Sequence, residues 1–402
     1  MANCLVAQSG GPTTVINASL AGVVRANQLN PVYDHVYGGL NGIEGILEDR
    51  LYDLTNMSEY ENRLLRQTPS SALGSCRYKL KRNDETDYRK LVEIMDKHDI
   101  EILFYIGGND SMDTVDKLSR YARIRRETIS FIGVPKTIDN DLPVTDHTPG
   151  YGSAAKYVAS TVREISLDAS VYQQPAVTIV ELMGRHAGWV TAASALARKY
   201  PGDNPLLIYM PEVPFSMEQF FKDVEQALSR QPNVVICVSE GIRDKKGRFI
   251  CEYTNDAQID TFGHKMLTGC AKILESYVRN RFRVKVRSVE LNVNQRCSSL
   301  LASAADVEEA ECSGRRAAEK ALQGETGKMV TCSRLSGPGY ELEYGLTEVG
   351  NVCNREKSFP VEWITAEGSD IGPEFLDYAL PLIQGQPDHI MENGLPKYLY
   401  RK

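Results

Sequence analysis

Short runs of apolar residues alternate along this chain with longer stretches in which apolar residues recur every three or four positions. The short runs predict buried β-strands, and the longer stretches predict helices with one apolar face. The predicted strands span residues 4–7, 102–106, 130–134, 176–181, 206–210, 234–238 and 286–291. The predicted helices span residues 16–28, 88–98, 111–121, 152–167, 187–198, 217–230, 263–280 and 303–323.

Strands that alternate with helices at this spacing predict an α/β fold, in which mainly parallel sheets are covered by helices on both faces. A cluster of turn residues at 149–152 divides the pattern into one sheet before about residue 150 and another after it. Beyond residue 335 the periodicity weakens, and we expect residues 351–402 to form a C-terminal appendage with surface loops.

Composition narrows the functional class. The chain has 402 residues and a net charge of -7, which argues against a general nucleic-acid or anionic-membrane surface. Its nine cysteines include no C-x-x-C pair, so a disulfide framework and a zinc motif are not indicated. With no long apolar run and no signal-like start, the sequence predicts a cytoplasmic protein that does not span a membrane.

Chemistry-bearing residues follow three of the predicted strands. Gly10-Gly11-Pro12, Gly107-Gly108-Asn109-Asp110 and Pro135-Lys136-Thr137-Ile138-Asp139-Asn140-Asp141 each come directly after a buried run. Ligands of open α/β sheets bind at the carboxyl ends of the strands, and glycine turns before helices suit phosphate groups. Taken singly, the glycine turns could be tight βα connections that bind nothing, and the acidic turn could be a capping turn.

The acidic turn and the second glycine turn resemble signatures of the phosphofructokinase family. Further motifs follow in that family's order, so the resemblance covers about three quarters of the chain: Gly74-Ser75-Cys76-Arg77, Met183-Gly184-Arg185, Ser239-Glu240-Gly241 and Gln295-Arg296. It implies two Rossmann-like three-layer domains with the active site in the cleft between them. Residues 1–150, completed by about 295–350, would bind the phosphoryl donor with Mg²⁺, and residues 151–294 would bind the sugar phosphate.

The resemblance also implies the reaction, which is Mg²⁺-dependent transfer of a phosphoryl group to the 1-hydroxyl of fructose 6-phosphate in glycolysis. Asp110 and Lys136 stand where nucleotide-using relatives have glycine, and both favour pyrophosphate as the donor, with a reversible reaction. A carboxylate about 4 Å from a phosphate charge would repel it by about 4 kcal/mol at an effective dielectric near 20. Most lysines are solvated surface residues, and this remains the alternative for Lys136.

Roles carried over from the family fall on residues that match its motifs, with Asp139 as the base. The catalytic group is Lys136, Asp139 and Arg185; the donor group is Gly11, Arg77, Gly108, Asp110 and Lys136; the metal ligands are Asp110 and Asp141. The sugar-phosphate group is Thr137, Asp139, Asp141, Met183, Gly184, Arg185, Glu240, Arg287, Arg296 and Tyr378.

The chain departs from the family pattern at three positions. Asn109 replaces a common aspartate at the metal, and Ala176 and Val293 replace an arginine and a histidine that contact the sugar phosphate. The acceptor is therefore left open between fructose 6-phosphate and a longer sugar such as sedoheptulose 7-phosphate. An ATP-dependent phosphofructokinase and a non-catalytic regulatory subunit of the same fold are the alternatives, and a homodimer or homotetramer is expected.

Overall fold

The computed structural model describes residues 2–82, 84–253, 269–337 and 339–399. The chain divides into two compact units. Unit 1 comprises Met1–Ser153, Arg296–Lys357 and Gln384–Lys402, and unit 2 comprises Ala154–Gln295 and Ser358–Ile383. The segment 351–402, which was expected to form a separate appendage, is divided between the two units: residues 351–357 and 384–402 belong to unit 1 and residues 358–383 to unit 2.

The secondary structure follows the predicted alternation of strands and helices. In chain order, the strands are β1 Asn3–Gln8, β2 Val36–Gly39, β3 Leu51–Asp53, β4 Ile100–Gly107, β5 Ser130–Pro135, β6 Ala176–Leu182, β7 Leu207–Tyr209, β8 Asn233–Ser239, β9 Lys285–Glu290, β10 Lys328–Arg334, β11 Leu342–Glu348, β12 Ile364–Thr365, β13 Asp370–Ile371, β14 Met391–Glu392 and β15 Leu395–Pro396. The α-helices are α1 Ile16–Leu29, α2 Gly42–Leu47, α3 Glu59–Gln67, α4 Thr86–Lys97, α5 Asn109–Arg125, α6 Tyr151–Ala169, α7 Trp189–Ala192, α8 Met217–Arg230, α9 Cys270–Phe282, α10 Ala304–Ala321 and α11 Pro373–Ala379.

Unit 1 is built on a sheet of order β11-β10-β5-β4-β1-β2-β3. Its inner strands run parallel, and β3 and β11 are antiparallel strands at the two edges. Alternate residues of β1 enter different clusters, with Leu5 in one and Val6 in the other, so both faces of the sheet are buried. Parallel strands covered on both faces confirm the predicted α/β class.

Helices α1 and α10 approach each other closely on one face of the sheet of unit 1. A Cβ atom added to Gly22 would lie 2.1 Å from the carbonyl oxygen of Glu311, and one added to Gly314 would lie 2.0 Å from that of Ser19. Glycine is therefore required at both positions by the distance between the helices.

Unit 2 is built on a parallel sheet of order β7-β8-β6-β9. The predicted helix 187–198 is α7 followed by a 3₁₀ turn over Ala193–Ala197. The predicted helix 263–280 begins in residues 263–268, which lie outside the described residues, and its described part is α9. Rings of Trp189, Phe359 and Trp363 pack together on this unit, with centroids 5.0–6.1 Å apart.

The cysteines and the helices can be compared with what the composition predicts. All nine cysteines are free thiols, and most of them are buried. None of the helices in the described part of the chain is long and apolar enough to cross a membrane.

Candidate active site

The turn after β1 is held open by hydrogen bonds to residues 75–76. Gly10 has φ +76°, a conformation that favours glycine. Its N–H donates to the carbonyl oxygen of Cys76 at 3.1 Å, and its own carbonyl accepts from the hydroxyl of Ser75 at 2.6 Å. The motif containing Arg77 is therefore joined to the Gly10-Gly11 turn.

The turn after β4 leads directly into α5. Gly108 is the N-cap residue, and Asn109 and Asp110 begin the helix. The side chain of Asp110 is 78% exposed, and its carboxylate lies 3.2 Å from the ammonium group of Lys79. A negative charge in the first turn is stabilised by the helix dipole, so Asp110 sits where an incoming phosphate would otherwise be attracted.

Lys136 is the most unusual residue at this edge of the sheet, because it is a lysine with only 2% exposure. Its ammonium group donates a hydrogen bond to the carbonyl oxygen of Gly11 at 2.6 Å. Burial lowers the pKa of Lys136 to about 8, while the charge of Asp139 acts in the opposite direction. Lys136 is therefore not a solvated surface lysine. Its side chain joins the turn after β5 to the turn after β1.

Asp139 and Asp141 are half-buried carboxylates in the turn after β5. Burial raises the pKa of Asp139, and burial together with the charge of Asp139 raises that of Asp141 to about 7. The backbone N–H of Asp139 donates to the hydroxyl of Thr137 at 3.1 Å. Between the two carboxylates, the fully buried Asn140 has φ +54°, and its amide oxygen accepts from the N–H of Thr148 at 3.0 Å.

The segment 145–150 supports the acidic turn from behind. The N–H of Thr137 donates to the carbonyl oxygen of Pro149 at 3.2 Å. The buried Asp306 of α10 accepts from the N–H groups of Gly150 and Ser153, both at 2.8 Å, and so caps the start of α6. These contacts fix the backbone on which Thr137 and the carboxylates stand.

A buried histidine belongs to the same support. The ring of His147 lies between two carboxylates, 2.8 Å from Asp146 and 2.7 Å from Glu309. Burial acts to lower the pKa of His147, but interactions with Cys332, Asp146 and Glu309 outweigh it and raise the pKa well above 6.5. We take His147 as an imidazolium that donates to both carboxylates.

Arg296 lies with the predicted donor residues of unit 1. A Cβ atom added to Gly11 would be 3.3 Å from its Nη1 atom. The positive charge of Arg296 lowers the pKa of Lys136 and opposes the rise in the pKa of Asp139, and Arg77 also acts on Lys136. Sequence reasoning assigned Arg296 to the sugar phosphate, whereas its described neighbours are the turns after β1 and β5.

In unit 2, the motifs at the ends of β6 and β8 pack against each other. Gly184 has φ +131°, and its N–H donates to the carboxylate of Glu240 at 3.3 Å. Its carbonyl oxygen accepts from the hydroxyl of Ser239 at 2.6 Å. The N–H of Met183 donates to the side chain of Gln295 at 3.1 Å. The structure thus groups Met183, Gly184 and Glu240, with Arg185 following directly.

The other two predicted sugar-site residues of unit 2 have different surroundings. Arg287 lies on β9, 54% exposed, with its guanidinium 4.0 Å from the carboxylate of Asp168. Tyr378 lies on α11, where its ring centroid is 5.2 Å from that of Trp189 and 5.7 Å from that of Trp363. Tyr378 is therefore anchored by aromatic packing, and Arg287 stands on an edge strand.

Sequence reasoning missed residues 356–357. The charge of Glu356 raises the pKa of both Asp139 and Asp141, and the N–H of Lys357 donates to the carbonyl oxygen of Asp141 at 2.7 Å. No motif surrounds these residues, and more than 200 positions separate them from the acidic turn. Only the folded chain brings them to the site.

A magnesium ion here would depend on few protein ligands. They contain no group of three or more His, Cys, Asp or Glu side chains that could hold a metal ion. Magnesium often uses one or two carboxylates, with water and substrate phosphates as its other ligands. Burial raises the pKa values of Asp139 and Asp141, and the charge of Asp139 adds to the rise at Asp141, so two carboxylates of the kind that such an ion uses stand in one turn.

Comparison with known proteins gives one consistent result. The family described as phosphofructokinase matches residues 3–306. A pyrophosphate–fructose 6-phosphate 1-phosphotransferase of Halomonas elongata is 40% identical over 400 residues, which are 98% of this chain and 95% of that protein. A sulfofructose kinase of Alkalicoccus urumqiensis is 33% identical over 339 residues, 84% of this chain and 85% of that protein. The crystal structure of a pyrophosphate-dependent phosphofructokinase from Nitrosospira multiformis superposes with a TM-score of 0.90 at 37% identity, covering 99% of this chain and 95% of that one.

Proposed function

Because the chain belongs to the phosphofructokinase family, we propose that it transfers a phosphoryl group from pyrophosphate to the 1-hydroxyl of fructose 6-phosphate. The products are fructose 1,6-bisphosphate and phosphate. The reaction exchanges a phosphoanhydride for a phosphate ester without a nucleotide, and we infer that it runs in both directions.

The observation that carries the proposal is the buried Lys136. Its ammonium group is held on the carbonyl oxygen of Gly11 and is close enough to Asp139 for the two charges to affect each other. A cation that costs free energy to bury, in a turn next to two carboxylates, is better explained by an anionic ligand than by stability. Pyrophosphate is a compact, highly charged anion that such a group would stabilise.

Asp110 supports the choice of pyrophosphate over ATP. Its carboxylate occupies the first turn of α5, at the helix end that attracts phosphate. A nucleotide would have to extend its inner phosphate and nucleoside past this charge, whereas pyrophosphate has neither. Asp110 would therefore select against ATP mainly by repulsion.

Asp139 would act as the base. It accepts the proton of the 1-hydroxyl while that oxygen attacks the phosphorus atom, and the bridging P–O bond breaks with its electrons passing to the leaving phosphate. The raised pKa of Asp139 makes it a better proton acceptor than an exposed aspartate. Lys136, Arg77 and Arg296 would stabilise the charge on the phosphates, and Arg185 that on the transferred group.

Asp110 and Asp141 would hold Mg²⁺, which supplies charge neutralisation of the pyrophosphate oxygens when bound. In unit 2, Met183, Gly184, Glu240 and Arg287 would bind the sugar phosphate. We also propose a homodimer or homotetramer in the cytoplasm, which light scattering of the purified chain would test: an active monomer would contradict the assembly.

The deciding experiment compares pyrophosphate with ATP at matched free Mg²⁺, in both directions. The wild-type chain should use pyrophosphate and almost ignore ATP. Asp110→Gly should raise kcat/KM for ATP relative to pyrophosphate by at least about tenfold, since about 4 kcal/mol of repulsion is available before screening. Asp388→Gly, which removes an exposed loop carboxylate, is the matched control. Ready use of ATP by the wild-type chain would refute the proposal.

The same assay settles the acceptor. Fructose 6-phosphate, sedoheptulose 7-phosphate and 6-sulfofructose should be compared with pyrophosphate as donor, because the chain lacks the family's arginine at Ala176 and its histidine at Val293. We expect fructose 6-phosphate to have the highest kcat/KM. A higher value for either of the other sugars would correct the acceptor and leave the donor assignment intact.

A further inference from the structure

Residues 354–357 lie across two parts of the proposed donor site. They connect β11 and the following 3₁₀ turn, Val349–Asn351, to the end of this part of unit 1 at Lys357. We call residues 354–357 the strap. We propose that the strap, together with Asn109, positions the start of α5 relative to the acidic turn. Asn109 holds the strap through hydrogen bonds and does not bind the metal.

The root of the strap is rigid. Val349 and Val352 are 2% and 0% exposed, and they belong to the same apolar cluster as Met112 and Val115 of α5. The N–H groups of Val352 and Cys353 both donate to the carbonyl oxygen of Val349, at 3.0 and 2.9 Å. The strap therefore starts from a fixed point on the helix that begins with Asn109.

Asn109 and the strap exchange two hydrogen bonds. The N–H of Asn354 donates to the amide oxygen of Asn109 at 2.6 Å, and the amide nitrogen of Asn109 donates to the carbonyl oxygen of Arg355. A further bond joins the side chain of Asn354 to the carboxylate of Asp113 at 3.0 Å. The two partners of Asn109 are separated from it by about 245 positions, so this is a tertiary contact and not a local turn.

The chemistry of this exchange requires an amide. An asparagine side chain has one acceptor and one donor, which match one backbone N–H and one backbone carbonyl. An aspartate at this position would keep the first bond and would set a carboxylate oxygen against the carbonyl of Arg355. The amide oxygen of Asn109 already faces an N–H donor, whose partial positive charge opposes a metal ion.

The other end of the strap reaches the acidic turn. The N–H of Lys357 donates to the carbonyl oxygen of Asp141 at 2.7 Å. Its ammonium group donates to the carbonyl oxygens of Thr145 and Asp146, at 3.2 and 2.8 Å. Four residues thus join the first residue of α5 to the backbone of Asp141 and to the segment that supports it.

The hydrogen bonds at Asn109 lie at an exposed position, where each contributes little to the free energy of unfolding. Their effect on catalysis is expected to be larger, because a displacement of about 1 Å between the donor turn and the acidic turn can reduce the rate by about 100-fold. The inference uses the proposed phosphoryl transfer as one readout, and amide exchange provides a second that needs no substrate.

The experiment compares Asn109→Asp, Asn109→Ala and Lys357→Met with the wild-type chain. We expect kcat to fall about tenfold to 100-fold in each variant. The Mg²⁺ concentration for half-maximal rate should not decrease in Asn109→Asp. The double variant Asn109→Ala/Lys357→Met should have a kcat only slightly lower than that of the worse single variant. Without substrates, Asn109→Ala should increase hydrogen exchange of the Asn354 amide at least about tenfold.

Asn351→Asp is the matched control, since it makes the same change at an exposed position in the adjacent turn and should keep wild-type kcat. Thermal unfolding should show every variant folded. A lower Mg²⁺ requirement with unchanged or higher kcat in Asn109→Asp would make position 109 a metal site and overturn the inference. Wild-type kcat in Asn109→Ala, or unchanged exchange at Asn354, would overturn it equally. A wild-type chain that is inactive with pyrophosphate would instead refute the proposed function. Hydrogen exchange of the Asn354 amide would still test whether Asn109 holds the strap.

Discussion

Replacing Lys136 by methionine should abolish most of the activity without destabilising the protein. In the folded chain the ammonium group is almost fully buried, and burial lowers its pKa to about 8 from 10.5. The unfolded lysine keeps the ordinary pKa. The charged form is therefore less favourable in the folded state than in the unfolded state.

The size of this effect follows from the two pKa values. A difference of about 2.5 pKa units corresponds to a cost of about 3 kcal/mol at pH 7. Between the two pKa values the unfolded chain binds more protons than the folded chain, so stability rises with pH. At a pH of about 9.5 the remaining cost is about 1.5 kcal/mol.

Methionine has a similar length and no charge, but it leaves the carbonyl oxygen of Gly11 without the hydrogen bond from Lys136. That bond to a charged group contributes about 1.5 to 3 kcal/mol. At pH 7 the variant should therefore be between equally stable and about 1.5 kcal/mol more stable than the wild type. Its stability relative to wild type should decrease by about 2 kcal/mol on going to a pH of about 9.5.

Urea unfolding at the two pH values measures this difference. Labelling of the buried thiol of Cys4 reports on unit 1, and fluorescence of Trp189 and Trp363 reports on unit 2, which should not respond. Lys90→Met, at an exposed lysine of α4, is the control and should show no dependence on pH. The kcat of Lys136→Met should fall at least about 100-fold.

Two results would refute this reasoning about Lys136. The first is a variant that is more than about 1 kcal/mol less stable than wild type at pH 7, which would mean that the ammonium group stabilises the fold. The second is a stability difference that does not change with pH, which would mean that the lysine titrates near its ordinary pKa. Wild-type kcat in the variant would leave the burial argument intact and would remove Lys136 from the catalytic group.

Other predictions concern the acidic turn, its support and the helix contact. Asp139→Asn should reduce kcat by about 10²- to 10⁴-fold in the coupled assay, while urea unfolding at pH 7 shows no loss of stability, because burial already opposes the charge of Asp139. Because the pKa of His147 is raised in the folded state, its charge stabilises the fold fully below a pH of about 6.5, and this stabilisation is lost as the pH rises through the folded-state pKa. His147→Gln should therefore lose most stability at low pH. An equal loss at every pH would contradict this. Gly314→Ala should destabilise by about 2 kcal/mol in urea, because its Cβ would lie 2.0 Å from the carbonyl of Ser19, whereas Gly337→Ala, with open space around it, should not.

The main elements could be predicted because their pattern is strong and local. The strands that became β1, β4, β5, β6 and β8 are short, mostly apolar runs, which are typical of buried parallel strands. The strands β2 and β11 are among those that were missed, for an equally physical reason. The sequence of β2 contains two glycines, and β11 alternates polar residues at an edge, so neither has an apolar run that distinguishes it from a loop.

Part of the site was also predictable, because each motif directly follows a strand and strand ends define one edge of a sheet. That logic places Gly11, Gly108 and the acidic turn, and it connects Arg185 to the end of β6. It did not show that Arg296, at the end of the 3₁₀ turn Asn292–Arg296, lies next to Gly11, and the role of Arg296 at the sugar phosphate stays a prediction. It could not find the strap, because hydrogen bonds from backbone groups have no side-chain signature.

The order of residues thus determined the alternation of elements, the class of fold and the turns that are proposed to handle phosphate, since these depend on neighbours within a few positions. Only the tertiary structure decided that Lys136 is buried on the carbonyl of Gly11, and that Asn109 is engaged by residues some 245 positions away. Burial and long-range hydrogen bonding arise when the chain closes on itself. They set the pKa values and the fixed distances on which the proposed chemistry depends.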